Sequence, residues 1–206
     1  MADVERFARR ASSYERGRRA EFHSRVVAAS LETAVRVVPH PSAVLDVGCG
    51  TGALLRALGD RLPPTVQLVG VDPASAMIDV ARAAHGPRSN VQLEVAFADD
   101  LPFPDAQFDL VISTTSFHHW TDQAVGLREV GRVARRDGRL VLVDNFAIGW
   151  LRVFNAIARR KMRTRGDVER LLASARLMPL EWARIFDLGP LPLIQAVVAK
   201  HAPQSA

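Results

Sequence analysis

The chain is poor in residues that staple a fold or anchor it to a membrane. It has one cysteine, Cys49, so no intrachain disulfide can form, and the cytoplasm is the expected compartment. No run of about 18 apolar residues occurs, so no segment reads as a membrane span. The opening Met1-Ala2-Asp3-Val4-Glu5 lacks the apolar core of a signal peptide. Lysine occurs only at Lys161 and Lys200, so arginine supplies all but two of the 27 basic residues. Aromatics make up only 6%, with Tyr14 the single tyrosine, and no arginine cluster alternates with aromatics as a nucleic-acid stacking surface would.

What is there suits one globular domain. A chain of 206 residues that is 48% hydrophobic can bury a real core. Net charge is +5, with arginine clusters at 6–19, 132–139 and 159–170. Acids interrupt the first and last clusters, which reads as solvated helix faces more than as a nucleic-acid track. An anionic small substrate stays open.

Periodicity orders the chain. Residues 18–37 read as a helix with Phe22, Val26, Ala29 and Thr33 on its inner stripe. Strands are expected at 44–47, 66–71, 91–95, 108–113 and 139–144. Helices fall between them at 51–58, 74–84 and from the Thr121-Asp122 cap to about 135. Arg136-Asp137-Gly138 reads as a turn before the fifth strand. Residues 148–163 and 166–176 look helical. The apolar runs 180–188 and 193–200 read as a closing antiparallel pair. Such alternation predicts a doubly wound α/β fold, a seven-stranded and mostly parallel sheet with a C-terminal hairpin.

The most telling stretch is Val44-Leu45-Asp46-Val47-Gly48-Cys49-Gly50-Thr51-Gly52. A buried strand runs into a glycine turn that opens a helix, the place where open α/β sheets bind ligands. Glycine lets the backbone come close to such a ligand. A pyrophosphate would prefer the helix N-terminus without Asp46 beside it. The same carboxylate suits an ammonium or sulfonium. A dinucleotide-binding turn stays as the alternative, because Gly48, Gly50 and Ala53 also meet its looser pattern. Cys49 reads as a small residue in a crowded turn. Asp72, at the end of the second strand, can take ribose hydroxyls or cap the helix that follows.

The stretch resembles motif I of the class I S-adenosylmethionine-dependent methyltransferases, with Asp46, Gly48, Gly50 and Gly52 filling its acid-x-Gly-x-Gly-x-Gly pattern. Leu101-Pro102-Phe103-Pro104-Asp105 and Phe108-Asp109-Leu110-Val111-Ile112-Ser113 are similar to the family's later blocks, and residues 40–145 carry the likeness. The look is that of the small-molecule branch near the ubiquinone and menaquinone biosynthesis enzymes. The resemblance implies S-adenosylmethionine as cofactor and S-adenosylhomocysteine as product. It implies one domain: an N-terminal helical lid (1–38), a cofactor core (40–145), a helical substrate cap (146–178) and a closing β-hairpin (179–206). By the same resemblance, Asp72 and Pro73 bind the ribose end, Met77 packs on the adenine or in the helix core, and Ser113 belongs to the site. Tyr14 closes the lid or anchors the helix surface. The chain departs from the family where an acid usually accepts the adenine amino group. Here the triplet is Ala96-Phe97-Ala98. Either Asp99 reaches back, or the backbone near Ala98 reads the base while Phe97 packs on it.

Methyl transfer from a sulfonium needs chiefly in-line positioning. A base is needed only if the acceptor loses a proton. His118 and His119, after the fourth strand, are the candidate bases, with structural roles as the alternative. No acidic or cysteine ligands gather near them, so no metal is expected. The segment Phe146 to Met162, with Arg152, Arg159 and Arg160, is expected to overlie a small acceptor, aromatic or lipid-like with an acid group. A homodimer stands as the candidate assembly. Three other readings stay open: an RNA or protein methyltransferase using the arginine surface, a dinucleotide reductase, and a non-catalytic partner subunit. The first lacks an Asn-Pro-Pro-Tyr-type motif, and the second lacks a Tyr-x-x-x-Lys pair.

Overall fold

The structure, a computed structural model, describes residues 2–11, 14, 18–86, 90–146, 163–188 and 191–203. Five parallel strands form first: β1 (Ala43–Val47), β2 (Gln67–Val71), β3 (Val91–Glu94), β4 (Phe108–Thr114) and β5 (Ala134–Asp144). Two strands close the sheet, β6 (Leu177–Leu188) and β7 (Leu191–His201). The sheet order is β3-β2-β1-β4-β5-β7-β6. β7 runs antiparallel to both β5 and β6, as the terminal apolar runs predict.

The inner strands are buried on both faces, which is why they read as unbroken apolar runs. Along β1, Leu45 and Val47 pack into one core cluster and Val44 into the other. The first cluster takes in Leu127 and Val130 of helix α5 (Gln123–Val133) and Val168 and Leu172 of helix α6 (Arg165–Ser174). The second takes in Val26 of α2 (Arg18–Val37), Leu55 and Leu58 of α3 (Ala53–Arg61) and Ile78 of α4 (Ser75–His85). A short helix, α1 (Ala2–Ala8), precedes them.

Local signals explain the helix starts. Asp122 accepts N–H bonds from Ala124 and Val125 to begin α5, where the sequence places the cap. Thr164 and Asp167 exchange bonds in a capping box at α6. One boundary differs from expectation. Arg136-Asp137-Gly138 is not a turn before the fifth strand but part of it. β5 already pairs at Ala134 with Phe108, and the register shifts before Leu110 meets Arg139. Gly138 permits this, since a Cβ there would lie 2.9 Å from the Arg135 carbonyl and 3.0 Å from that of Phe108. The expected helix over 148–163 lies outside the described residues, save Arg163.

β1 lies between β2 and β4, so the sheet order reverses between β1 and β4. In open α/β sheets the crevice at such a reversal is the ligand site.

Candidate active site

The loop after β1 is folded back onto the end of β2. Gly48 and Cys49 both donate their N–H to the Val71 carbonyl, at 2.8 and 2.9 Å. Gly48, Gly50 and Gly52 have φ of 77°, 54° and 76°, the left-handed region that glycine adopts without strain. The three are glycine for different reasons. A Cβ on Gly48 would sit 1.8 Å from Ser116 Oγ, so β4's following loop touches this turn directly. A Cβ on Gly52 would meet His85 Nε2 at 2.9 Å. A Cβ on Gly50 would meet nothing within 4 Å, which leaves its backbone open to the cleft.

Asp72 ties the loop to the next helix. One carboxylate oxygen accepts the Gly50 N–H at 3.0 Å and the other accepts the Ala74 N–H at 2.9 Å. It therefore braces the cleft while both oxygens keep a further lone pair. Burial raises its pKa, and those two N–H bonds offset the rise only in part. Asp46 is different. It is 2% exposed, and its Oδ1 is buried with no hydrogen-bond partner among the described residues. Burial, then the charge of Asp72, pushes its pKa up to about 8. A buried carboxylate oxygen without a donor is costly, and a cation in the cleft would supply what is missing. Cys49 is buried in the same turn, and burial with the two nearby carboxylates raises its thiol well above the ordinary range. That excludes it as a ready nucleophile.

The cleft brings together Asp46, Gly48, Gly50, Asp72, Pro73, Met77, Tyr14 and His119. Helix α1 covers one side with Asp3, Val4 and Phe7. Tyr14 stands edge-on to Phe7 at 6.2 Å and to His23 at 5.3 Å. Met77 is 1% exposed and packs with Ala74 and Tyr14 at the cleft wall. The cleft has the donors and acceptors for an amino-acid-bearing nucleoside: an orphaned carboxylate, an open glycine backbone and a second acid.

Comparison with known proteins places a methyltransferase domain over the same stretch. Residues 45–142 match the model of the methyltransferase domain. The chain is 40% identical over 105 residues to the demethylmenaquinone methyltransferase of Deinococcus radiodurans, covering 50% of this chain and 43% of that protein. It is 34% identical over 163 residues to the uncharacterized methyltransferase Mb3374 of Mycobacterium bovis, covering 76% of this chain and 63% of that one. Residues 45–142 carry a methyltransferase domain, and the curated relatives that match this stretch include demethylmenaquinone and ubiquinone/menaquinone biosynthesis methyltransferases. It spans less than two thirds of the length of the curated relatives it matches. A solved chain from the complex between the Haloferax volcanii Trm112 methyltransferase activator and a methyltransferase shares the fold, with a TM-score of 0.82 at 20% identity. The match covers 98% of this chain and 97% of that one.

Other expected site residues of this methyltransferase domain lie off the cleft lining. Phe97 is 40% exposed, held outward by a turn in which Asp100 donates its N–H to the Phe97 carbonyl at 3.2 Å. Ala98 is buried near Gly126 and Trp120, and Asp99 is half-buried beside it. Ser113 is buried within β4, its Oγ without a partner among the described residues. Arg152, Arg159 and Arg160 fall outside the described residues. No group of three or more His, Cys, Asp or Glu side chains that could hold a metal occurs among the described residues, and no described helix is long and apolar enough to cross a membrane.

The two histidines sit on a short 3₁₀ turn (Phe117–His119) beyond β4. His119 reaches the cleft and its Nδ1 lies 3.2 Å from Asp3 Oδ2. Burial, then the neighbouring His118, lowers its pKa against the opposing pull of Asp3. His118 points elsewhere: its Nδ1 is 2.6 Å from Oδ1 of fully buried Asp144. Sequence reasoning missed Asp3, Asp144 and Thr115. Asp144 carried a usable signal, an acid at the carboxyl end of a parallel strand. Thr115 carried none. It lines the cleft with φ of 53°, a strained setting for a β-branched residue, held by its N–H bond to the Val143 carbonyl at 2.7 Å.

Proposed function

We propose that the chain transfers a methyl group from S-adenosylmethionine to a small-molecule acceptor by in-line displacement. The observation that carries this reading is the unpartnered Asp46 oxygen at the floor of the glycine cleft. When bound, the cofactor supplies an activated methyl on a sulfonium. The protein's own residues do the rest. Asp46 receives the ammonium, Asp72 receives the ribose, Met77 and Tyr14 provide apolar walls, and α1 covers the cleft as a lid. The site then spends its binding on alignment, which this chemistry needs most.

An aromatic or lipid-like acceptor is supported by what similar proteins are named for, a demethylmenaquinone methyltransferase and, among proteins of the same fold, a geranyl diphosphate C-methyltransferase. The test is calorimetric titration with S-adenosylhomocysteine, with NADPH as control. Micromolar binding that is lost in Asp46→Ala and Asp72→Ala supports the reading. Binding of NADPH alone overturns it.

A second reading, a cofactor-binding subunit that works with a partner, draws on one observation. β3 is the edge of the sheet, and Val95 and Phe97 just beyond it are 50% and 40% exposed. Exposed apolar residues at an unpaired edge are a place for another chain to dock. Catalysis by the purified chain alone would set this reading aside.

A further inference from the structure

The His118–Asp144 pair is left unused by the binding site. We infer that Asp144 is a positioning residue that holds His118 as the general base, so the acceptor is one that surrenders a proton on methylation: a phenol, an enol or an acidic carbon. This rests on the methyltransferase reading above and narrows it.

Asp144 ends β5 and is fully buried. Its carboxylate accepts three N–H bonds: from His118 Nδ1 at 2.6 Å, from the His118 backbone at 3.0 Å and from the Asn145 backbone at 2.6 Å. A carboxylate only accepts, so this network assigns the proton of a neutral His118 to Nδ1. Nε2 is left with a bare lone pair, the arrangement a base needs. The same carboxylate then faces the imidazolium once the proton arrives. The turn that carries His118 is itself fixed. Gln123 Nε2 donates to the Phe117 carbonyl at 3.0 Å, and Arg163 Nε donates to Gln123 Oε1 at 2.6 Å.

His119 is the poorer base. Among the described residues its ring pairs with Asp3, a half-exposed side chain on α1, and burial lowers its pKa. Its ring lies 3.9 Å from that of His118 and lines the cofactor cleft. His118 thus stands one ring away from the cleft, with its side chain 17% exposed for proton exchange with water. The groups that face it are Asp144 from β5, His119 on its own turn, Asp3 from α1 through His119, and Arg163 behind Gln123. The step balances: the proton passes from the acceptor's O–H or acidic C–H to Nε2. The electron pair left behind bonds the methyl carbon, and the methyl–sulfur pair stays on sulfur. Positive charge moves from sulfonium to imidazolium, then to water.

Long-range ¹H–¹⁵N correlation of ¹⁵N-labelled protein reads the His118 tautomer without any turnover. The native protein is expected to show Nδ1–H, and Asp144→Asn to shift it toward Nε2–H. S-adenosylhomocysteine release is then followed with catechol, a 1,3-diketone and a primary amine as acceptor probes. Asp144→Asn and His118→Gln are each expected to lower kcat for the first two probes about 100-fold or more. KM should hardly move, and the rising limb of the pH profile should be displaced or lost. An Nε2–H tautomer in the native protein overturns the inference, as does a superimposable pH profile in Asp144→Asn. Turnover of the amine alone, or of no probe while S-adenosylhomocysteine still binds, overturns it too. Failure to bind S-adenosylhomocysteine would instead sink the methyltransferase reading itself. His118→Gln, on a partly exposed turn, keeps the test decisive if Asp144→Asn does not fold.

Discussion

Replacing Asp46 with Asn should make the ligand-free protein more stable at neutral pH while it abolishes cofactor binding. Asp46 is buried with one oxygen unpartnered, and its pKa in the folded protein is about 8 against an ordinary 3.8. The folded state therefore holds a proton that the unfolded chain has released, so stability falls as pH rises from near 4 to near 8. At pH 7 the gap is about three pH units at 1.36 kcal/mol each, roughly 4 kcal/mol of penalty. The amide removes that penalty but leaves its own buried polar group short of a partner, at a cost of about 1–3 kcal/mol. The net gain is about 1–3 kcal/mol at pH 7, or roughly 3–10 °C in Tm for a chain of this size. Near pH 4.5 the penalty shrinks to about 1 kcal/mol, and the variant should be no more stable than the native protein. Thermal melts of both proteins between pH 4.5 and 8.5 measure this. Calorimetry in buffers of different ionisation enthalpy adds a second reading. S-adenosylmethionine should release about one proton on binding at pH 7, as its ammonium restores the carboxylate. A Tm difference independent of pH, or an Asp46→Asn protein that binds the cofactor like the native one, would refute the reasoning.

Three other predictions follow from local geometry. Gly50→Ala meets no neighbour but must hold φ of 54°, so it should cost about 1–2 kcal/mol of stability and weaken S-adenosylhomocysteine binding at least tenfold; urea melts and titration separate the two effects. Gly48→Ala drives a methyl to 1.8 Å from Ser116 Oγ, so it should unfold or badly destabilise the protein, with loss of two-state melting by circular dichroism as the readout. Thr164→Ala removes one half of the α6 capping box and should cost about 1 kcal/mol in urea melts, with S-adenosylhomocysteine affinity unchanged.

The parts of the site that could be read from residues are those whose chemistry is local. The glycines of residues 48–52 answer to backbone angles and close approach, and both leave a mark on composition. Asp122 and its cap were legible for the same reason. Asp144 offered its place at a strand end but not its pairing, because its partner His118 is 26 residues away and the two meet only since β5 lies beside β4. Asp3 reaches His119 across 116 residues for a similar reason. The start of β5 was hidden by its own polarity: Arg135, Arg136 and Asp137 are exposed at the strand's beginning, so a pattern of burial cannot mark them as strand. At the adenine end the triplet Ala96-Phe97-Ala98 aligns with the family by order, and Phe97 is 40% exposed in a turn bridged to Asp100, a placement that residue order alone does not give.

The position of β7 has a consequence for synthesis. It is inserted between β5 and β6, so β6 has nothing to pair with until β7 has followed it out of the ribosome. The five parallel strands and helices α1 to α5 are complete by Asp144 and can condense while the chain is still growing. Between those moments β6 is an unpaired strand carrying exposed apolar side chains such as Leu180, a target for aggregation or a chaperone. β7 thus locks the strand made just before it, and the sheet's far edge is secured only by a strand that follows it in the chain.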